Sequence, residues 1–461
     1  MKTINTIIAH STPQGSGALA VIRLSGPEAL VVADSLARLP GQKKLLDAAS
    51  HTLHFGWVLD RNNTKIDQVI FSIMHAPRTF TGEHVVEITC HNNQFIIEAI
   101  IHEALFHGAR IAKQGEFTEQ AFVNGKLDLV QAEALNDLIH AQTQLALKKS
   151  LSQLEGTLSH WIHELEQQLL RALAWCEASF EFLDEELEFG IQIREHLEKL
   201  LERIAFHKGT YDIHRHIREG VRIALIGSVN AGKSSIFNML LGQQRAIVTP
   251  VAGTTRDSIE AGFILNGIRI TLIDTAGIRI TDDIVEQEGI KRSFDQAQLA
   301  DMILLVFDGS RALTEEELSV YKQLYERYEN KIVLVQSKSD LPEHAHHFAQ
   351  VEINKLKTKP IQVTASDLPD MLKEEIAQKL DTLFKKQETP FLLNERQFRT
   401  LTEVEQLLNT IANTLLTASS ISYELVSFHL REALEQLTGL TGKSISQAAL
   451  DQVFREFCVG K

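Results

Sequence analysis

The chain has 461 residues, 44% of them hydrophobic and 23% charged, with a net charge of −14. That length and balance predict about three domains with real cores, and no run of about eighteen apolar residues is present to span a membrane. The surplus of acid argues against general coating of nucleic acid, while leaving room for a local basic patch that grips one RNA.

In chain order, residues 1–120 mix short strand runs with one or two helices. Ala18–Leu24 and His84–Thr89 are the expected strands, bounded by Gly and Pro turns. From Leu127 onward, Leu127, Val130, Ala134, Leu138, Leu151, Leu154, Leu158, Trp161, Leu165, Leu169 and Leu173 recur mostly three or four apart, the spacing of a helix face. Helical character runs on to about residue 216. Val221–Ile226 then reads as a buried strand, 227–234 as a loop, and Ser235–Leu241 as the start of a helix. Asn266-Gly267 between Ile259–Leu265 and Ile268–Ile273 predicts a hairpin. Met302–Phe307, Ile332–Val335 and Ile361–Val363 are further strand runs, and strands alternating with helices imply a mostly parallel sheet covered on both faces. After Pro390 helical spacing returns, from Leu401 to Leu437. Neither helical stretch carries a full core of its own, so the two are expected to pack together. The boundaries read 1–120, 121–217, 218–385 and 386–461, with the third an insertion between the halves of a helical domain. Three scattered cysteines (Cys90, Cys176, Cys458) suit neither a disulfide framework nor a zinc site. No secretory signal is expected, and the cytoplasm is the expected location.

The loop Gly227-Ser228-Val229-Asn230-Ala231-Gly232-Lys233-Ser234 has the phosphate-binding spacing, in the strand–loop–helix context that gives such a match its meaning. Backbone N–H groups turn in on the phosphates, Lys233 reaches the β- and γ-oxygens, and Ser234 offers magnesium a hydroxyl, with Ser235 following. Asp274-Thr275-Ala276-Gly277 ends a strand with a carboxylate for magnesium through water and a glycine hinge. Gly253-Thr254-Thr255-Arg256-Asp257 supplies switch hydroxyls. Ser337-Lys338-Ser339-Asp340 stands where GTPases usually carry Asn-Lys-x-Asp, and Asp340 is the residue for the N1 and N2 protons of guanine. With Ser337 in place of Asn, part of the contact to the base should be lost, together with a bond tying this segment to the phosphate loop. Ile278 follows Gly277 where a Gln would orient water, so that task falls to one of Asp282, Asp283, Glu286 and Glu288. Asn230 is either a ligand for a monovalent cation or a turn-forming residue.

Together with Ile22-Arg23-Leu24-Ser25-Gly26, Pro77-Arg78-Thr79-Phe80-Thr81-Gly82-Glu83, Gly115-Glu116-Phe117-Thr118, Asn124-Gly125-Lys126-Leu127-Asp128-Leu129 and Phe457-Cys458-Val459-Gly460-Lys461, these residues resemble the tRNA-modification GTPase family MnmE (TrmE) along essentially the whole chain. The resemblance implies a multidomain fold: an α+β N-terminal folate-binding domain that forms a homodimer, an α-helical bundle domain, and an inserted α/β P-loop (Ras-like) G domain. It places a tetrahydrofolate derivative, 5-formyl or 5,10-methylene, against Arg23, Glu83, Lys126 and Lys461. It also implies potassium on Asn230 and on backbone oxygens of Thr249, Val251 and Thr254, magnesium on Ser234 and Thr255, and Glu286 as the residue that orients water. The implied partners are the flavoprotein MnmG and tRNA, and no membrane. The implied product is a (carboxymethyl)aminomethyl group at C5 of a wobble uridine. Cys458 resembles the family's terminal cysteine, to be read as a nucleophile or as a small apolar residue.

The sequence departs from the family at Ser337, at Asn92-Asn93 where two glycines are usual after Cys90-His91, at Asn5, and at Pro250 inside the expected potassium loop, where a fixed φ and a missing N–H would stiffen the chain. These departures motivate an alternative, a regulatory or binding GTPase with low turnover that does not support tRNA modification. An ATPase with relaxed base choice is a third reading, which Asp340 disfavours.

Overall fold

The computed structural model describes residues 6–13, 15, 17–179, 186–242, 259–265, 268–274, 293–341, 359–364, 370–384, 389–417, 422–455, 457, 459 and 460. They fall into two compact units: Met1–Asn136, Gln153–Leu201 and Thr400–Lys461 in the first, Asp137–Ser152 and Glu202–Arg399 in the second.

The first unit contains a seven-stranded sheet. Its strands are β1 (Ile7–His10), β2 (Leu19–Ser25), β3 (Ala37–Arg38), β4 (Thr52–Leu59), β5 (Lys65–Met74), β6 (Val85–His91) and β7 (Arg110–Ile111), in the order β3-β4-β5-β6-β2-β1-β7. Neighbours run antiparallel except β1 and β7. Ala20, Ile22 and Leu24 of β2 are fully buried while Val21 and Arg23 are only partly so, the alternation of a sheet packed on one face. The helices Ala29–Leu36 and Gln94–Phe106 cover that face with Leu30, Val32, Ile97 and Ile100. Asn92 and Asn93 both have structural work. Asn93 caps the second helix, its Oδ1 accepting the N–H of Phe95 at 2.9 Å, and Asn92 Nδ2 donates to the carbonyls of Gly15 (2.8 Å) and Gly17 (2.9 Å).

In the same unit the helices Thr157–Ala178 and Tyr423–Thr441 lie against one another through apolar stripes that include Leu158, Leu165 and Leu169 on one and Val426, Leu430 and Leu437 on the other. Lys443 Nζ reaches Glu166 Oε2 at 2.6 Å, and the Cys176 thiol donates to the carbonyl of Tyr423 at 3.1 Å. Burial pushes that thiol up to about 11, so it stays protonated and structural.

The second unit is built on a six-stranded sheet of β8 (Val221–Ile226), β9 (Ile259–Leu265), β10 (Ile268–Asp274), β11 (Met302–Asp308), β12 (Ile332–Ser337) and β13 (Ile361–Gln362), in the order β13-β12-β11-β8-β10-β9. All pairs are parallel except β9–β10, the hairpin strands, which pair from Ile268↔Leu265 to Asp274↔Ile259. The turn Asn266-Gly267 lies outside the described residues. Every residue of β11 is buried because both faces are covered. Ile223 and Leu225 of β8 pack with Ile236, Phe237 and Leu240 of the helix Lys233–Gly242, while Ala224 and Ile226 pack with Tyr321 and Leu324 of the helix Glu315–Tyr328. This unit also takes in residues 137–152 and 202–217, where Ala146, Ile217 and Leu392 form a small apolar cluster.

Candidate functional site

The phosphate loop leaves the C-terminal end of β8 between two parallel neighbours, β10 and β11, so its entry is set by the sheet. Gly227 is required there: a Cβ would stand 2.1 Å from the carbonyl oxygen of Val306 on β11. The loop turns through two left-handed residues, Asn230 (φ 62°) and Gly232 (φ 89°), which Asn and Gly tolerate best. Lys233 opens the helix and is buried; its Nζ donates to the carbonyls of Gly227 and Ser228, both at 2.6 Å. Ser234 and Ser235 follow in the first helical turn and are exposed, on the end of the helix where N–H groups and the dipole favour anions.

A side-chain network backs this loop. The Ser228 N–H donates to Tyr321 Oη at 2.8 Å, and Tyr321 donates in turn toward the Val306 carbonyl at 3.2 Å. Arg311 Nη2 reaches Ser228 Oγ at 3.4 Å and grips Glu317 with two hydrogen bonds of 2.9 and 2.5 Å. The Arg311 guanidinium holds the Glu317 carboxyl down at about 2, so Glu317 is ionised throughout the physiological range. Glu317 also closes a capping box with Thr314 at the start of its helix. Tyr321, Arg311, Thr314 and Glu317 were not singled out from sequence; the Thr314-x-x-Glu317 spacing was the signal available.

The Ser337-Lys338-Ser339-Asp340 segment, expected to read the base, begins at the last residue of β12. Lys338 adopts a left-handed φ of 56°, and its Nζ bonds Asp308 Oδ2 at 2.6 Å. Burial works against ionisation of Asp308, but hydrogen bonds from Lys338 and Ser310 outweigh it and hold this carboxyl below its usual range. The Ser339 N–H donates to the Val363 carbonyl at 3.2 Å, and Asp340 is exposed. Here one expectation is corrected. Ser337 was expected to lose the bond between this segment and the phosphate loop, yet its buried Oγ donates to the Ala231 carbonyl at 2.6 Å. The short side chain suffices because Gly232 has no Cβ; one built there would stand 3.0 Å from Ser337 Cβ. The two motifs, 106 residues apart, are thus joined.

The backbone of Asp274 ends β10, paired with Leu225 of β8 at the end from which the phosphate loop departs. Thr249, Val251, Thr254, Thr255, Thr275, Ala276, Gly277 and Glu286, and with them Asn5, Pro250, Cys458 and Lys461, lie outside the described residues. Among the described residues no group of three His, Cys, Asp or Glu is arranged to hold a metal ion. The oxygen donors expected for magnesium and potassium here are hydroxyls, an amide and carbonyls, which such a grouping does not count. Ser234 and Asn230 both present exposed side chains at the loop, compatible with that donor set.

A second cluster gathers in the first unit. Arg23 on β2 donates from Nε to Glu87 Oε1 at 2.8 Å and from Nη1 to the Gly460 carbonyl at 3.1 Å. Gly460 (φ 89°) is seated tightly, since a Cβ would stand 2.8 Å from the carbonyl oxygen of His10, and Ser11 Oγ also donates to its carbonyl. Two residues along β2, Ser25 Oγ lies 3.1 Å from Glu83 Oε2 and 2.7 Å from Thr81 Oγ1. Asn124 Nδ2 donates to the Thr81 carbonyl at 2.7 Å, and the stem of Lys126 passes Gly82, 3.5 Å from where its Cβ would be. Burial raises the pKa of Glu83; the Ser25 hydroxyl opposes the rise and the Glu116 carboxylate adds to it. Glu83 and Lys126 therefore border one segment, 81–83, while Arg23 sits on β2 with Gly460 beside it.

A six-stranded α/β sheet whose first strand feeds a glycine-bearing loop and a lysine-led helix, with a Lys-x-Asp segment bonded to that loop, defines a P-loop nucleotide-binding domain within a larger chain. Residues 6–126 match the family described as GTP-binding protein TrmE N-terminus, and residues 129–458 match the family described as MnmE helical domain. The chain is similar to the tRNA modification GTPase MnmE of Geobacillus thermodenitrificans at 37% identity and of Geobacillus kaustophilus at 38%, each over 100% of both chains. It is 35% identical to that of Bacillus subtilis over 99% of this chain and 100% of the other. The chain belongs to the tRNA modification GTPase MnmE family.

Proposed function

We propose that the chain binds GTP between residues 227–234 and 337–340, hydrolyses it, and acts in tRNA modification. The observation that carries this reading is the Ser337–Ala231 hydrogen bond, which makes one site of a phosphate loop and a base-reading segment. Lys233 lies against the loop, ready to exchange two carbonyl partners for phosphate oxygens. Ser234 and Thr255 would hold magnesium, which would neutralise charge on the phosphates. Asn230, Thr249, Val251 and Thr254 would hold potassium, which would add a second positive charge, and Glu286 would orient water. In the finer form of the proposal a homodimer works with the flavoprotein MnmG in the cytoplasm. It installs a (carboxymethyl)aminomethyl group at C5 of the wobble uridine of certain tRNAs, with the one-carbon unit on a tetrahydrofolate held by Arg23, Glu83, Lys126 and Lys461. The low-turnover alternative rested partly on a lost tie at Ser337, and that ground falls away with the bond in place.

The test is steady-state GTP hydrolysis in potassium and in sodium chloride at equal ionic strength. Faster turnover in potassium is expected, by roughly tenfold if the cation replaces one charge-stabilising donor. A slow rate, the same in both salts, would reject the potassium site and favour the regulatory reading.

A further inference from the structure

The hydroxyl proton of Ser337 fastens the base-reading segment to the phosphate loop. Ser337 is 4% exposed, with its Oγ 2.6 Å from the Ala231 carbonyl oxygen and 3.1 Å from the Phe307 carbonyl oxygen. A hydroxyl donates once, and both neighbours can only accept, so that proton is committed within the protein. The asparagine usual at this position carries two amide protons. One can hold the Ala231 carbonyl, leaving the other for an acceptor on the ligand. Guanine presents such an acceptor, N7, beside O6 on the edge away from N1 and N2. Of the neighbouring donors, the Lys338 ammonium spends one of its three protons on Asp308, which anchors it at that carboxylate, and the Ser339 N–H is turned to the Val363 carbonyl.

We propose that Ser337 makes this site indifferent to N7 of the purine, so that the base is selected through its N1–N2 edge at Asp340. Ser337 serves as a positioning residue that holds the segment on the phosphate loop and leaves the five-membered ring unread. This rests on the reading of the site as a GTP site, and the experiment separates the two.

The experiment is competition binding on the full chain, with GTP, 7-deaza-GTP and inosine triphosphate displacing a fluorescent GDP analogue. The expected result is that 7-deaza-GTP, with C–H in place of N7, matches GTP within about twofold, as for a position at which no hydrogen bond is lost. Inosine triphosphate, lacking the N2 protons, should be weaker by about tenfold or more, the cost of leaving a charged acceptor short of a partner. A 7-deaza-GTP about tenfold weaker than GTP would overturn the proposal while leaving the GTP site intact, as would an inosine triphosphate equal to GTP. Failure of GTP itself to displace the probe would overturn the GTP reading and this proposal with it. Ser337→Asn restores the second proton, and GTP should then be preferred over 7-deaza-GTP by about tenfold; equal affinity for the two would refute the proton count. Ser337→Ala removes only the tie, so both nucleotides should weaken together with their ratio unchanged. A changed ratio would show that the hydroxyl reads the base after all.

Discussion

The phosphate loop takes its shape from eight consecutive residues at the end of one strand, whereas the cluster around Arg23 joins side chains to a backbone carbonyl 437 positions away. The charges differ in the same way. In the G domain the ammonium groups of Lys233 and Lys338 already bond oxygens of the protein, and Arg311, Glu317 and Asp308 form ion pairs around them. In the N-terminal cluster Glu83 has the Ser25 hydroxyl as neighbour, and burial disfavours its charge. A site that presents a fixed set of donors to an anion can complete itself internally. A cluster in which burial raises a carboxyl, with no cationic side chain among the described residues drawn to it as Arg311 is to Glu317, has chemistry left over for a ligand.

The largest effect that would sharpen this contrast is expected at Lys233. Lys233→Ala removes the charge proposed to meet the β- and γ-phosphates, and kcat for GTP should fall by about 10²–10³-fold, the loss typical of one transition-state donor. It also frees the Gly227 and Ser228 carbonyls, on residues that are half-buried, and thermal stability should change little. A large drop in melting temperature would mean that Lys233 holds the loop together, and the notion of a backbone-built site would fail.

How much of each region was legible follows from the same physics. The strands β2, β6, β8, β11 and β12 show in the sequence because each carries a clear alternation or an unbroken apolar run. The hairpin β4–β5 did not, because Leu53, Phe55 and Ile70 are exposed apolar residues that blur the period of two. The phosphate loop was readable since its function lies in contiguous backbone. The Ser337 tie was misread because side-chain length alone suggested a gap, when the distance had been set by the missing Cβ of Gly232. Nothing local in the sequence announces that Glu87 and Gly460 surround Arg23. The folate set came from resemblance alone.

A middle-sized effect is expected at Arg23. Arg23→Ala deletes the ion pair to Glu87 and the hydrogen bond to the Gly460 carbonyl, leaving the last residues held by Ser11 and by the Gln114–Val459 bridge. Binding of 5-formyl-tetrahydrofolate, measured by calorimetry, should weaken by about tenfold or more, as for loss of one charge-assisted hydrogen bond and a displaced neighbour. Unchanged affinity would show that the cluster is a structural clasp for the chain's end.

The smallest effect, and the one most specific to the contrast, is at Glu83. Its folded pKa is raised by burial, so the ionised carboxylate is the disfavoured form. A carboxyl with a raised folded pKa contributes stability that is present below the unfolded value and is lost as pH rises through the folded value. Replacement by a neutral isostere removes that loss, and Gln keeps a carbonyl oxygen for the Ser25 hydroxyl. Glu83→Gln should therefore stabilise the protein at neutral pH by at most about 1 kcal/mol, once screening of a half-exposed group is allowed for. The gain should shrink as pH falls through the carboxylate range, which urea melts across that range would read. Binding of the folate derivative should move the other way, since Gln cannot offer a charge to ligand N–H groups. Stability and binding moving in opposite directions would mark Glu83 as a residue kept for its ligand at the expense of the fold. Destabilisation at neutral pH would instead place Glu83 among the internally satisfied charges, on the same footing as Glu317 and Asp308, and the contrast between the two regions would be lost.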